Sequence, residues 1–168
     1  RVNHAKQDQQ EAEKWYIESI AIRAKVLGKE HPNYASSLYN LAVLYVEMGN
    51  YKKAEQLFIE SIGIREKVLG KEHPNYSYSI SSLAVLYSTM GNYEKAEPLY
   101  IEAKAIQEKV LGKEHPNYSA SLNNLAILYE EMGNYEKAEP LYLEAKAIRE
   151  KVLGKEHPDY ASSLNNLA

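Results

Sequence analysis

Cysteine is absent from the 168 residues, which excludes disulfides, thiolate chemistry and sulfur-ligated metals. Neither sign of charge dominates: 20 Lys and Arg stand against 23 Asp and Glu, a net of −3. Without a basic excess there is no footprint for phosphates, and nucleic acid is not an expected partner. No apolar run approaches the roughly 18 residues that a membrane span needs, so no membrane partner is expected either. Nothing at the start reads as an export signal, which makes the cytoplasm the default location. A glycine-rich phosphate loop, a nucleophile elbow and a paired catalytic constellation are also missing. The expectation is therefore a protein that is not an enzyme and holds no cofactor. Tryptophan and phenylalanine occur once each, yet 15 tyrosines and 45% apolar residues are enough for a folded protein.

What the chain has in abundance is periodicity. Gly28, Gly70, Gly112 and Gly154 are 42 residues apart, and so are Pro32, Pro74, Pro116 and Pro158. A fixed period signals an array of repeats rather than an ordinary globular domain. Three full units span 29–70, 71–112 and 113–154; residues 1–28 correspond to the second half of a unit and 155–168 to the first half. The last two full units differ at only nine of 42 positions, so they fold alike. Together these form one repeat array over 1–168.

Each unit reads as two helices with their stop signals. Helix A opens at Pro32, where a missing N–H and a preset φ suit the first helical position, and runs to about Met48. Gly49 supplies the left-handed residue that ends it, and the Asn50 side chain is expected to cap helix B, which runs from Tyr51 to about Leu69. Asp8 holds the place of Asn50 in the first part-unit, with Glu11 three residues on, a pattern that predicts a capping box opening a first helix B. Leu38, Leu41, Ala42 and Tyr45 share one side of helix A; Ala96, Leu99, Tyr100, Ala103, Ile106 and Val110 share one side of helix B. Small residues at Ala42 and Ala54 permit close approach. The segment Leu41 to Tyr45 is apolar all round, so neighbouring units must cover it. Pro98 and Pro140 fall inside helix B, where a mild bend is expected rather than a break.

His31, His73, His115 and His157 each precede the proline that opens a helix A. They recur one unit apart, at least a helix spacing of about 8–10 Å, whereas zinc needs ligand nitrogens about 2.0–2.1 Å away. A structural role at the helix entrance is expected, and no metal.

The residues Leu122, Leu125, Ala126, Tyr129, Gly133, Tyr135, Ala138, Tyr142 and Ala145 resemble the signature of the tetratricopeptide repeat, at that family's spacing. The EKVLGKEHP stretch lengthens the usual 34-residue unit by eight residues. With its SLNNLA and LGKEHP phrases, the unit looks like the repeats of kinesin light chains and nephrocystin-like proteins. The resemblance implies an all-α, right-handed solenoid of stacked antiparallel helix pairs. It also implies a role in binding other proteins, with peptide ligands lying in a concave groove lined by the A helices.

One face of each helix A would line that groove, nearly opposite the Leu38 and Leu41 side at 100° per residue. It carries Tyr39, Asn40, Val43, Val46 and Glu47 in the first full unit, and Tyr78, Ser81, Ser82, Val85, Ser88 and Thr89 in the second. The third contributes Asn123, Asn124, Ile127, Glu130 and Glu131, and the final part-unit Asn165 and Asn166. Six of the nine differences between the two closest units fall on this face. Drift on an exposed surface and tuning toward a ligand both account for that. Asn40, Asn124 and Asn166 occupy equivalent places and could bond a peptide backbone, since an amide both donates and accepts; as plain solvent-facing residues they would do nothing. Ser82 interrupts this ladder. Tyr39 and Tyr78 are candidate anchors, with Val43, Val85 and Ile127 as floor. No Lys or Arg lies on the face, so a clamp for a C-terminal carboxylate is missing. Glu47, Glu130 and Glu131 favour a neutral or mildly basic segment as partner.

A second function is conceivable. Leu164 and Leu167 have no capping helix to cover them, and 168 residues make a whole number of periods, so Ala168 of one chain leads in phase into Arg1 of the next. Head-to-tail self-association is one expectation; the other is a piece of a longer array whose ends are only where it was cut.

Overall fold

The computed structural model describes residues 2–167, with side chains described from Gln7 to Leu167. Among the described residues there are eight α-helices and no strand: α1 (Val2–Val26), α2 (Pro32–Glu47), α3 (Tyr51–Leu69), α4 (Pro74–Thr89), α5 (Tyr93–Leu111), α6 (Pro116–Glu131), α7 (Tyr135–Leu153) and α8 (Pro158–Asn165). Helices α2, α4, α6 and α8 are of the A type and α1, α3, α5 and α7 of the B type. The architecture is an all-α solenoid of antiparallel helix pairs.

The entrances to the A helices follow from one residue pair. His31, His73, His115 and His157 sit at the N-cap in extended backbone, each followed by proline at the first helical position. In each, imidazole Nδ1 accepts the main-chain N–H two residues on, at 3.0–3.1 Å. The histidine thus does the work usually given to Ser or Asp, satisfying an orphan donor of the first turn.

The entrances to the B helices depart from expectation. Neither the Asn50 nor the Asn92 side chain makes a capping bond, and only Asn134 accepts one, from the N–H of Lys137 at 3.3 Å. The preceding turn closes alike in all three: the Asn50 N–H bonds the Tyr45 carbonyl at 2.7 Å, while Gly49, at φ +73°, bonds back to Val46. Asn134 follows the same closure at ψ 69° and still makes its cap, so the turn itself does not separate the capped asparagine from the two uncapped ones. The capping box at Asp8 and Glu11 is also absent, because α1 begins at Val2 and passes straight through Asp8. Other units place a glycine just before the cap; here the equivalent residue is Gln7, and nothing ends the helix.

Pro98 and Pro140 lie inside α5 and α7, and neither ends its helix. Gly63 is likewise inside a helix, at ordinary helical φ, exposed, with nothing within 4 Å of where a Cβ would stand. Gly63→Ala is expected to raise stability by about 1 kcal/mol. A thermal midpoint that stayed the same or fell would show that the glycine serves the packing after all.

The described chain forms two compact units, Arg1–Lys71 and Glu72–Ala168. In the first, α2 packs most extensively on α3 and also on α1. Its core joins Tyr34, Ala35, Leu38 and Ile64, with Ile20, Ala24 and Leu57 against them. Ala42, Ala54 and Phe58 are buried as the small-residue spacing implied. In the second unit α4–α5 and α6–α7 are the tight pairs, α6 also packs on α5, and α8 on α7. Tyr118, Leu122 and Ala145 form a core with Leu141 and Ile148. Along α5 the buried stripe steps from Ala103 to Gln107, which leaves Val110 exposed, contrary to its place in the expected apolar set.

Polar staples tie successive helices. In the first unit the Tyr45 hydroxyl donates to Glu13 at 2.7 Å, with Lys53 over the ring and 3.8 Å from the same carboxylate. In the second, Tyr129, Glu97 and Lys137 repeat the arrangement. A buried arginine does similar work: Arg149 donates to Ser119 on α6 and to the Asp159 carbonyl and Ser163 hydroxyl on α8. Gln107, the equivalent residue on α5, reaches only Ser77, at 2.9 Å, and its buried Oε1 has no partner among the described residues. Gln107→Arg would lengthen the side chain toward the Asn117 carbonyl and Ser121, the counterparts of Arg149's partners. Because an unmet buried acceptor is costly, this substitution is expected to stabilise by about 1 kcal/mol; a lower urea midpoint would refute it.

Candidate functional site

Every residue assigned to the groove face lies on an A helix or at its C-cap, and none is buried. The opposite side of α2, α4 and α6 is buried almost without interruption, so the packing that makes the solenoid is also what turns this face outward.

In the first unit, α2 presents exposed Asn40 and Glu47 beside half-buried Tyr39, Val43 and Val46. Tyr39 is less available as an anchor than its sequence suggests. Its ring packs on Phe58 with centroids 5.4 Å apart, and the Arg65 guanidinium sits 5.1 Å above it. Part of its surface is therefore spent on holding α2 to α3.

In the second unit, α4, α6 and α8 carry the remainder. Tyr78 is the most prominent side chain, 61% exposed, with Val85 and Ile127 also exposed. Asn123, Asn124, Ser81 and Ser82 are half-buried between them. Two hydroxyls are already committed within their own helix: Ser82 donates to the Tyr78 carbonyl at 3.1 Å and Thr89 to the Val85 carbonyl at 2.9 Å.

Links between A helices were not foreseen from the sequence. The Ser88 hydroxyl donates to Glu131, joining α4 to α6. Asn166 Nδ2 donates to Asn123 Oδ1 at 2.8 Å, joining the end of α8 to α6. Both pairs are offset by one repeat plus one residue, a register that the 42-residue period contains but that propensity rules never ask for. The Tyr142 hydroxyl reaches across from α7 to Glu130 at 2.5 Å; burial first, then this bond and the Glu130 and Glu131 charges, push that phenol up. Tyr100 is raised chiefly by burial and then by Glu131. Thus Glu130 and Glu131 are exposed but held, and they give the C-terminal end of α6 a fixed negative charge. Asn165 is exposed, and Asn166 is partly engaged.

The arrangement offers apolar rings, amides and carboxylates on a rigid surface, with no group positioned as nucleophile or base. Among the described residues no cluster of three or more metal-ligating side chains occurs, and the four repeated histidines are the helix caps. No helix among the described residues is long and apolar enough to cross a membrane.

Comparison with known proteins gives the wider context. The tetratricopeptide repeat profile matches over residues 1–67, 45–103, 77–151 and 122–168. The structure is similar to that of BtubC (BKLC) from P. vanneervenii, with a TM-score of 0.81 and 25% identity, covering 90% of this chain and 60% of that one. It is also similar to a candidate kinesin light chain with nearly identical TPR-like repeats from Podosopora anserina, in two crystal structures. Those have TM-scores of 0.83 and 0.82 at 34% identity, over 99% of this chain and 79% of that one. This chain thus spans less than two thirds of the BtubC chain. A comparison with curated protein sequences found no match. Tetratricopeptide repeats generally act as protein-interaction scaffolds rather than as enzymes. With the repeat signature in each full unit and the match running the length of the chain, the protein belongs to the tetratricopeptide repeat family, with 42-residue repeats of the kinesin light chain-like kind.

Proposed function

We propose that the protein binds an extended, neutral or mildly basic peptide segment along the exposed face of its A helices. The observation that carries this reading is Tyr78, a large side chain left 61% exposed on a helix whose other aromatics, Tyr76 and Tyr87, are buried. Beside it, Val85 and Ile127 offer an apolar floor, Asn124 offers both donor and acceptor, and Glu130 and Glu131 set the sign of charge the ligand should carry. The test is selection of peptides on the chain from a displayed library, followed by binding to Tyr78→Ala and Asn124→Ala. Loss of an interfacial aromatic is expected to weaken the selected peptides by about tenfold or more, roughly 1.4 kcal/mol. Peptides that bind both variants as well as the parent, or no selection at all, would rule this face out.

A second reading is head-to-tail self-association. It is favoured by the apolar side chains that α1 and α8 leave uncovered, Trp15, Ile22 and Leu164.

A further inference from the structure

Each A helix depends on one imidazole for a bond that nothing else in its first turn supplies. At the entrance of α2, Pro32 has no N–H, and the N–H groups of Tyr34 and Ala35 bond the His31 carbonyl at 2.9 and 3.2 Å. The Asn33 N–H is left, and His31 Nδ1 accepts it at 3.1 Å. The same division recurs at α4, α6 and α8. Tyr76, Tyr118 and Tyr160 bond the carbonyls of His73, His115 and His157, while the N–H groups of Asn75, Asn117 and Asp159 bond the three imidazoles. Nδ1 accepts only while it carries no proton, so each of these rings is neutral with its hydrogen on Nε2. The entrance is also where the core begins. Tyr34, Tyr76, Tyr118 and Tyr160 are the third residues of their helices and all are buried, and the Ala35 carbonyl accepts from Ser61 at 2.8 Å.

Imidazole is the side chain that ordinarily changes charge between pH 5 and 8. A proton on Nδ1 removes the acceptor and sets donor against donor. It also places a positive charge at the positive end of the helix dipole. The charged groups around the entrances do little to relieve this. Arg23 of α1 donates to the Asn33 carbonyl beside His31, and Arg149 of α7 to the Asp159 carbonyl beside His157, so both add charge of the same sign. Glu30, Glu72 and Glu114, which precede their histidines, are already paired with Lys67 of α3, Lys109 of α5 and Lys151 of α7. Glu66, Glu108 and Glu150, near the ends of the same B helices, are paired with Lys71, Lys113 and Lys155. His157 differs: Asp159 Oδ2 lies 3.8 Å from its Nδ1, a carboxylate that favours the protonated ring and blunts the loss there. The equivalent residues Asn33, Asn75 and Asn117 are uncharged, so His31, His73 and His115 carry most of the response.

We infer that the four histidine caps form an acid-sensitive latch: protonation at mildly acidic pH releases the first turn of each A helix, and the loss repeats in every unit. The stability that the caps contribute is complete above the imidazole range and is lost as pH falls through it. The latch goes beyond peptide binding, since it acts on the helix entrances and not on the outward face.

Thermal unfolding of the 168-residue chain, followed by circular dichroism between pH 7.5 and 5.5, tests it. The midpoint should fall by about 5 °C or more over that interval. The control carries His31→Asn, His73→Asn, His115→Asn and His157→Asn together, because asparagine caps as well as any residue and does not titrate. Its midpoint should match the parent's at pH 7.5 and fall by less than about 2 °C; His4 is present in both proteins and cancels. A second measurement on the parent needs no variant. In nuclear magnetic resonance spectra the main-chain amide protons of Asn33, Asn75 and Asn117 should shift with pH in step with the ring protons of His31, His73 and His115. A parent midpoint that stays level, a folded control that falls as far as the parent, or amides that stay still while the rings titrate would each overturn the latch.

Discussion

Between pH 10 and 12 the unfolding midpoint of the protein is expected to fall steeply. Burial, together with the neighbouring carboxylates Glu13, Glu144 and Glu97, pushes the phenols of Tyr45, Tyr118 and Tyr129 up to about 12, against an ordinary value of 10. Tyr34 is raised as well, chiefly by burial and then by Glu60. A group whose folded-state pKa lies above its unfolded one contributes stability that is complete below the unfolded pKa and lost as pH rises through the folded one. Here the window opens near 10 and closes near 12, with Tyr34, Tyr45, Tyr118 and Tyr129 contributing in the same direction. Two of these phenols are the staples between successive helices, so their ionisation also removes the donor that the glutamate accepts from. Tyr129→Phe separates the two effects. At neutral pH it should cost about 1 kcal/mol for the lost bond to Glu97, and its midpoint should fall less than the parent's from about pH 9 to about pH 11.5. A parent midpoint that is flat across that interval would refute the assignment.

Leu122→Ala is expected to be the most damaging of the conservative truncations, at about 3 kcal/mol. Leu122 is fully buried where α6 meets α7, in the cluster with Tyr118 and Ala145. Its neighbours cannot collapse into the space, because Ala145 has no atoms to spare and Tyr118 is anchored through its hydroxyl to Glu144. Ile127→Ala, five residues further along the same helix but on the outward face, should cost less than about 1 kcal/mol. Urea denaturation of the two variants checks both. Equal losses would mean that the outward face is covered by more than the described residues and would weaken the case for a binding surface there.

Much of the helical framework could be read from residues whose effect is local. Pro32 and its repeats suit the first position of a helix, and the φ of +73° at Gly49 favours glycine, so both boundaries of α2 follow from the chain alone. Position 42 is small because α2 and α3 meet there, and the recurrence of alanine at 84 and 126 announced that contact three times over. The caps were read less well. Asn50 and Asn92 have the right chemistry for a cap, yet only Asn134 makes the bond, although the backbone is alike at all three. Asp8 has the right chemistry too, yet Gln7 in place of glycine lets α1 run through it. There a residue's preference was overruled by what its neighbour's backbone could do.

For the outward face of the A helices, helical periodicity was enough to say which side points outward, since the other side had to be buried. It could not say how far each side chain is committed elsewhere. Tyr39 and Tyr78 stand one repeat less three residues apart and look alike as anchors, but the first is packed against Phe58 and Arg65. Asn124 and Asn166 look like rungs of one ladder, but Asn166 is bonded to Asn123.

By itself the sequence determined the repeat, the helix pairs and the family, because glycine, proline and the 3.6-residue period act within a few residues of themselves. Only the tertiary structure decided which polar groups on the outward face are engaged and which tyrosines hold a carboxylate. Those outcomes depend on distances between residues 26, 32 or 43 positions apart. Only the packing of one helix upon another sets such distances.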